Sequence, residues 1–203
     1  MCGIEWRIPV VHTAIILAGG TARRLGGVSK PDYNVAGRRL LDIVLGELDM
    51  HNVPAERVVV VGPPTLSVPT GVRRVLEDPP YGGPLAGIGA GVDCLDLADS
   101  DLVAFGTCDA PLASRMYSQL VEAVNNDPTS DGAAPVTADA EHWIQYMHGV
   151  YRFGILKNLV TERDRPFRSA FRHLNVATVS DCSNWCIDVD TPDDAYRLAE
   201  MLA

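Results

Sequence analysis

A short apolar run, Thr13–Leu17, leads without a break into a loop that carries Gly19, Gly20, Gly26 and Gly27 and closes on Lys30. A strand buried on both faces reads as a continuous apolar run rather than an alternating one. Thr13–Leu17 is therefore expected to be the first strand of a parallel sheet, with the glycine-rich loop Ala18–Lys30 at its carboxyl end. Glycines let the backbone approach phosphate closely and turn its N–H groups inward. Arg23, Arg24 and Lys30 supply the positive charge a triphosphate needs. The spacing is neither that of the P-loop nor Gly-x-Gly-x-x-Gly. A solvated surface loop is the plain alternative. Two features favour phosphate: the loop follows the first strand directly, and it holds one of only two lysines, Lys30 and Lys157.

Downstream, short apolar strands alternate with helical patterns, which points to an α/β fold with a mainly parallel sheet. Leu40–Met50 has apolar residues at helical spacing. Arg57–Val61 and Val72–Leu76 are expected strands, and Pro84–Leu97 an expected helix with proline at its start. Gly87, Gly89 and Gly91 weaken that helix on propensity, which suits a close approach near its start. Leu102–Phe105 is the next strand, ending in Gly106-Thr107-Cys108-Asp109, and Met116–Val124 the next helix. Gly132–Val136, Gln145–Arg152, Val176–Val179 and Ile187–Val189 are expected strands. Phe153–Val160, Phe167–Leu174 and Asp193–Leu202 are expected helices, the last capped by Thr191.

The 203 residues suffice for one domain with a buried core. A net charge of −9 argues against a general nucleic-acid binder but leaves room for a local cationic pocket. No apolar run reaches membrane-spanning length, and Met1–His12 lacks the features of a secretory signal. Cys2, Cys94, Cys108, Cys182 and Cys186 make a poor disulfide framework and suit a reducing, cytoplasmic setting. Cys182 and Cys186 lack the further ligands a zinc site needs. Cys2 would resemble an N-terminal nucleophile once Met1 is removed, but the strand and loop behind it do not belong to such an enzyme.

The segment from Leu17 to Lys30 closely resembles the Leu-Ala-Gly-Gly loop of molybdenum cofactor guanylyltransferases, with its Arg-Met-Gly turn and closing lysine. Glu77-Asp78 with Gly83-Pro84-Leu85-Ala86-Gly87, and Thr107-Cys108-Asp109-Ala110-Pro111, resemble later motifs of the same family. His148–Arg152 and Asp190–Asp194 are similar to its last markers. The resemblance covers nearly the whole chain as one domain, residues 1–203, with 1–11 as an N-terminal extension. It implies a three-layer, Rossmann-like nucleotidyltransferase fold and transfer of GMP from GTP to molybdopterin. Cytidylyl transfer, sugar-phosphate activation and an inactive nucleotide-binding protein are the rivals. The resemblance also implies roles. Leu17, Ala18, Gly19 and Gly20 would line the nucleotide; Lys30 and Arg24 would contact phosphates. Asp78, Gly83, Pro84 and Leu85 would sit at the guanosine end, and Asp109 would bind Mg²⁺. Transient contact with cofactor-synthesis or apo-enzyme partners would follow.

The residues agree with that assignment. Asp109 lies just past a strand's carboxyl end, where open α/β sheets place ligands. A carboxylate there suits Mg²⁺, which binds one or two carboxylates plus substrate phosphates. Its alternative as a helix cap is weakened by the nearer Ser114. Asp78 could also be an ordinary turn residue before Pro79. Some positions depart from the family pattern. Ser29 stands where Asp is usual, Val61-Gly62 where a polar residue follows the second strand, and Asp188 and Asp190 where an Asn pair is common. Asp188 is expected to cap the last helix, while Asp190 is either a second metal ligand or a cap. Arg152, Arg165 and Arg168 are candidates for the acceptor's phosphate, with solvated surface arginines as the alternative.

Overall fold

The computed structural model describes residues 10–19, 29–139, 141–159 and 166–203. In chain order the strands are β1 (Val11–Leu17), β2 (Asn34–Val35), β3 (Arg38–Arg39), β4 (Val58–Val61) and β5 (Arg73–Val75). They continue with β6 (Leu102–Thr107), β7 (Gly132–Thr137), β8 (Val150–Arg152) and β9 (Val176–Asp181). The helices are α1 (Leu40–Met50), α2 (Gly83–Asp93), α3 (Tyr117–Asn126), α4 (Phe153–Leu159), α5 (Phe167–Phe171) and α6 (Pro192–Met201).

Seven strands form one sheet in the order β5-β4-β1-β6-β8-β7-β9. β8 pairs antiparallel with both β6 and β7, and the other pairings are parallel, so six strands share a direction and β8 opposes them. β2 and β3 make a separate two-stranded ribbon. β1 is apolar on both sides because both are covered. Ala14 and Ile16 pack with Leu41 and Leu48 of α1 and Leu120 and Val124 of α3. Ile15 packs on the other face with Leu85 and Ile88 of α2, Leu156 of α4 and Phe171 of α5. The result is the expected three-layer α/β sandwich. A smaller core under α6 joins Val35, Leu40, Ile43, Leu112, Val189 and Leu198.

Helix α2 shows what its glycines do. A Cβ on Gly91 would lie 2.8 Å from Ile15 Cγ2, and one on Gly87 would lie 3.2 Å from Val61 Cγ1. These two positions, one helical turn apart, let α2 sit down on β1 and β4. The close approach is made by the sheet along the helix.

Several expected elements come out differently. The extension stops short of residue 11, because Val11 already belongs to β1. The helix expected over Pro84–Leu97 ends at Asp93, and that expected over Phe167–Leu174 ends at Phe171. Within Gln145–Arg152 only Val150–Arg152 is strand; Tyr146–His148 is a 3₁₀ turn. Ile187–Val189 is not a strand. It is an extended anchor whose Val189 side chain enters the small core while its N–H donates to the Asp109 carbonyl at 2.7 Å. Ser114 does not cap α3: it lies inside a 3₁₀ turn, Ala113–Met116, with its hydroxyl buried and without a hydrogen-bond partner among the described residues.

Candidate active site

The chain passes from β1 through α1 to β4 and β5 on one side, then returns to place β6 on the other side of β1. That reversal opens a crevice at the carboxyl ends of β1 and β6, where open α/β sheets bind ligands. The Cys108 N–H donates to the Leu17 carbonyl at 3.0 Å and clamps the two strand ends together. The Ala18 N–H donates to the Val61 carbonyl at 2.8 Å, so the ladder extends one residue past β1. Gly19 is the next residue, and no atom of the described residues lies within 4 Å of a Cβ placed there.

Lys30 begins a 3₁₀ turn, Lys30–Asp32, at the far end of the glycine-rich loop. Its Nζ lies 2.7 Å from Asp109 Oδ2 and 2.5 Å from Asp190 Oδ1. Three distant stretches of chain thus meet at one ammonium. Asp109 follows β6 directly. Asp190 is held by the start of α6, where Thr191 and Asp194 form a capping box and the Asp190 N–H also donates to Asp194 at 3.2 Å. Burial and pairing compete here. Burial raises the Asp109 carboxyl, but the hydrogen bond and charge of Lys30 outweigh it and hold the group below the ordinary carboxylate range. Burial likewise lowers Lys30, and its bonds to Asp109 and Asp190 more than restore it. Both groups are ionised at neutral pH. Asp188 does not cap α6, a task done by Thr191. The protein packed around Asp188, and then the charge of Asp109, push its carboxyl up to about 6.

The neighbouring thiol takes no part. Burial, and secondarily the charge of Asp109, push Cys108 far above neutrality, so no thiolate is available as a nucleophile. The arrangement is built for charge: a fixed cation between two carboxylates, at the mouth of a crevice, with no side-chain nucleophile among the described groups that meet there.

The other expected residues fall around this centre. Gly83 opens α2 with φ +81° and free space beside it, and Pro84 follows at the surface. Leu85 turns its side chain into the core, leaving only its backbone for a ligand. Asp78 is exposed in the turn before α2. Beside it, Glu77 fixes that turn by accepting the Tyr81 N–H at 3.0 Å. Gly20, Arg23, Arg24 and Arg165 lie outside the described residues. Arg152 does not serve the site: it pairs with Leu102 at the opposite end of β6 and donates to the carbonyls of Ser130 and Val124.

A family model described as "MobA-like NTP transferase domain" matches residues 14–181. The chain belongs to this family. The match spans both Leu17–Lys30 and Asp109, the two segments whose ends meet at the ammonium. Relatives named molybdenum cofactor guanylyltransferase run the length of the chain. One from Photobacterium profundum is 28% identical over 205 residues, covering 93% of this chain and 95% of its own. One from Vibrio atlanticus is 28% identical over 201 residues, covering 96% and 98%. Among solved structures, molybdopterin-guanine dinucleotide biosynthesis protein A from Archaeoglobus fulgidus superposes with a TM-score of 0.68 at 18% identity, covering 94% of this chain and 98% of that one. A 4-diphosphocytidyl-2C-methyl-D-erythritol synthase superposes with a TM-score of 0.70 at 18% identity, covering 94% and 97%. At these identities the structures speak for the fold, which this nucleotidyltransferase family shares with enzymes of other acceptors.

Proposed function

We propose that this chain transfers GMP from GTP to molybdopterin. The observation that carries the reading is the meeting of Lys30, Asp109 and Asp190 at the carboxyl ends of β1 and β6. The full-length relatives named for the same reaction support it. In the reaction, an oxygen of the acceptor's terminal phosphate attacks the α-phosphorus of GTP. The bond from that phosphorus to the β-phosphate's bridging oxygen breaks, and pyrophosphate leaves with the electron pair. An acceptor phosphate is already ionised near neutrality, so no side chain has to take a proton. The work left to the protein is positioning and charge stabilisation.

Lys30 is placed to meet the negative charge that grows on the leaving pyrophosphate. Arg24 is assigned the same duty on sequence grounds. Gly19 and Gly20 give the phosphates access to the backbone, and Asp78 with Gly83–Leu85 frames the guanosine end. Asp109 and Asp190 bring carboxylate oxygens to one cation position, now taken by an ammonium, and this donor set fits Mg²⁺. Among the described residues no group of three or more acidic, histidine or cysteine side chains could hold a metal, so substrate phosphates would complete the shell. Bound there, Mg²⁺ would neutralise phosphate oxygens. A cytoplasmic setting belongs to the same proposal; the thiols of Cys94, Cys108, Cys182 and Cys186 are free.

The test is formation of the guanine dinucleotide cofactor and pyrophosphate from GTP and molybdopterin by the purified protein. GTP should outcompete CTP and ATP, because a base read by placed donors and acceptors is discriminated sharply. Equal use of CTP would overturn the guanylyl assignment and leave a nucleotidyltransferase of different choice.

A further inference from the structure

On the same rim of the sheet as the transfer centre stands an aromatic that the fold does not bury. Trp143 is 52% exposed. The guanidinium of Arg168, from α5, lies over its indole with Cζ 3.4 Å from the ring centroid. The ring is presented by a fixed turn. The Trp143 N–H donates to Thr137 Oγ1 at 2.9 Å, and the Trp143 carbonyl accepts the Thr137 N–H at 3.0 Å. Asp139 accepts from the same Thr137 hydroxyl at 2.7 Å.

Its location is set by topology. Thr137 ends β7, which runs parallel to β6, with only β8 between them. Ala104 of β6 and Ala133 of β7 both pair with Val150, so Thr137 stands level with Cys108. Trp143 is therefore on the same rim of the sheet as Asp109. The segment that carries Trp143 pairs antiparallel with β7 on the edge that faces β8, Ile144 opposite Val136, so it lies between β7 and β6. Arg168 belongs to α5, which packs on the same face of the sheet as α2.

We infer that Trp143 and Arg168 form a stacking platform for the planar heterocycle of the acceptor. This rests on the proposed transfer to a pterin. Arg168 is exposed, and its flat guanidinium already stacks on one face of the indole. A flat, electron-rich ring gains contact with such a surface whatever its edge pattern, as bases do on aromatic and arginine planes. An acceptor whose ring rests here has its phosphate on the same rim as Lys30 and Asp109. A turn already locked by Thr137 and Asp139 spares the ordering cost of a mobile loop. Arg168 thus acts on the ring, where the sequence suggested the phosphate.

The experiment compares wild type with W143A, R168A and R168K in GMP transfer to molybdopterin, with GTP binding measured separately. The expected result is an acceptor KM at least tenfold higher in W143A and R168A, with GTP affinity and saturated kcat near wild type. R168K keeps charge but loses the plane and should resemble R168A; full rescue by lysine would overturn stacking. Normal acceptor KM in W143A and R168A, with an active wild type, overturns the platform and leaves the transfer reading intact. Absence of transfer by wild type overturns the function instead. The platform is then decided by titrating a pterin that bears a side-chain phosphate. It should quench wild-type tryptophan emission and quench W143F far less; equal quenching in both proteins overturns it.

Discussion

Lys30 holds two carboxylates apart as well as holding them in place, so its loss has two effects. One is removal of the cation that we propose meets the charge on the leaving pyrophosphate. The other leaves Asp109 and Asp190 facing each other without the charge between them. Charge that develops only in the transition state is stabilised there more than in the ground state. Lys30→Ala should therefore lower kcat more than it weakens GTP binding, by roughly 3–4 kcal/mol in the barrier. Lys30→Arg should recover only part, because a planar fork replaces a compact point charge. Single-turnover product formation, beside direct GTP titration of the same variants, checks both statements. Wild-type rate and binding in Lys30→Ala would make it a solvated loop residue. Asp109→Asn keeps the shape and removes the charge. Turnover should fall on the order of a hundredfold or more if the group holds a catalytic metal, with the fold intact by circular dichroism. Near-normal turnover would sink the metal role. At this scale the sequence made Lys30 and Asp109 legible, because each closes a motif. It left Asp190 undecided, since nothing local says that a residue 160 positions from Lys30 shares its ammonium.

Elements with a long periodic pattern were readable, and α1 falls on the expected residues, Leu40–Met50. Short apolar runs were not. Ile187–Val189 has strand composition, yet its one apolar anchor and one hydrogen bond serve to dock a loop. Helix α1 also carries something its pattern hides. Glu47 is only 3% exposed, and its carboxylate takes two bonds from Arg115, Nε to Oε2 at 2.7 Å and Nη2 to Oε1 at 2.8 Å. Arg115 sits in the 3₁₀ turn between β6 and α3, so the pair ties α1 to the chain that leaves the site. Breaking a buried pair leaves a charge without its partner and costs about 3–5 kcal/mol. Urea unfolding of Arg115→Ala should show that loss. The double replacement Glu47→Leu with Arg115→Leu should recover most of it, because no buried charge remains. A single variant as stable as wild type would mean that the pair contributes nothing.

For the whole molecule, the layer order and the parallel sheet could be expected from alternating patterns. The reversal of β8 could not, because three residues carry no direction. The packing around β8 has a measurable consequence in acid. His148, in the turn that leads into β8, is buried, and burial pushes its imidazole down to about 4 against the opposing charges of Asp109 and Asp181. An unfolded chain takes up this proton near pH 6.5, while the folded one waits until about 4. Between those values the unfolded state binds more protons at this residue, so the contribution of His148 to stability falls as pH falls, by about 3 kcal/mol across the window, while Asp188, raised to about 6, works in the opposite sense over the same range. The gap in unfolding free energy between wild type and His148→Gln should therefore narrow by that amount from pH 7 to 4. A gap that does not change with pH would show that His148 does not titrate between the folded and unfolded states.

The three residues that meet at the centre come from positions 30, 109 and 190. A chain emerging from the ribosome has Lys30 and Asp109 long before Asp190. The backbone bond from Val189 to Asp109 also waits for that last stretch. Until α6 forms its cap and docks, the pair lacks its third member, however well β1 and β6 have already joined. Closure of this three-residue cluster is then a late event in the life of the polypeptide, and a chain still in synthesis has a finished sheet before it has a finished cluster.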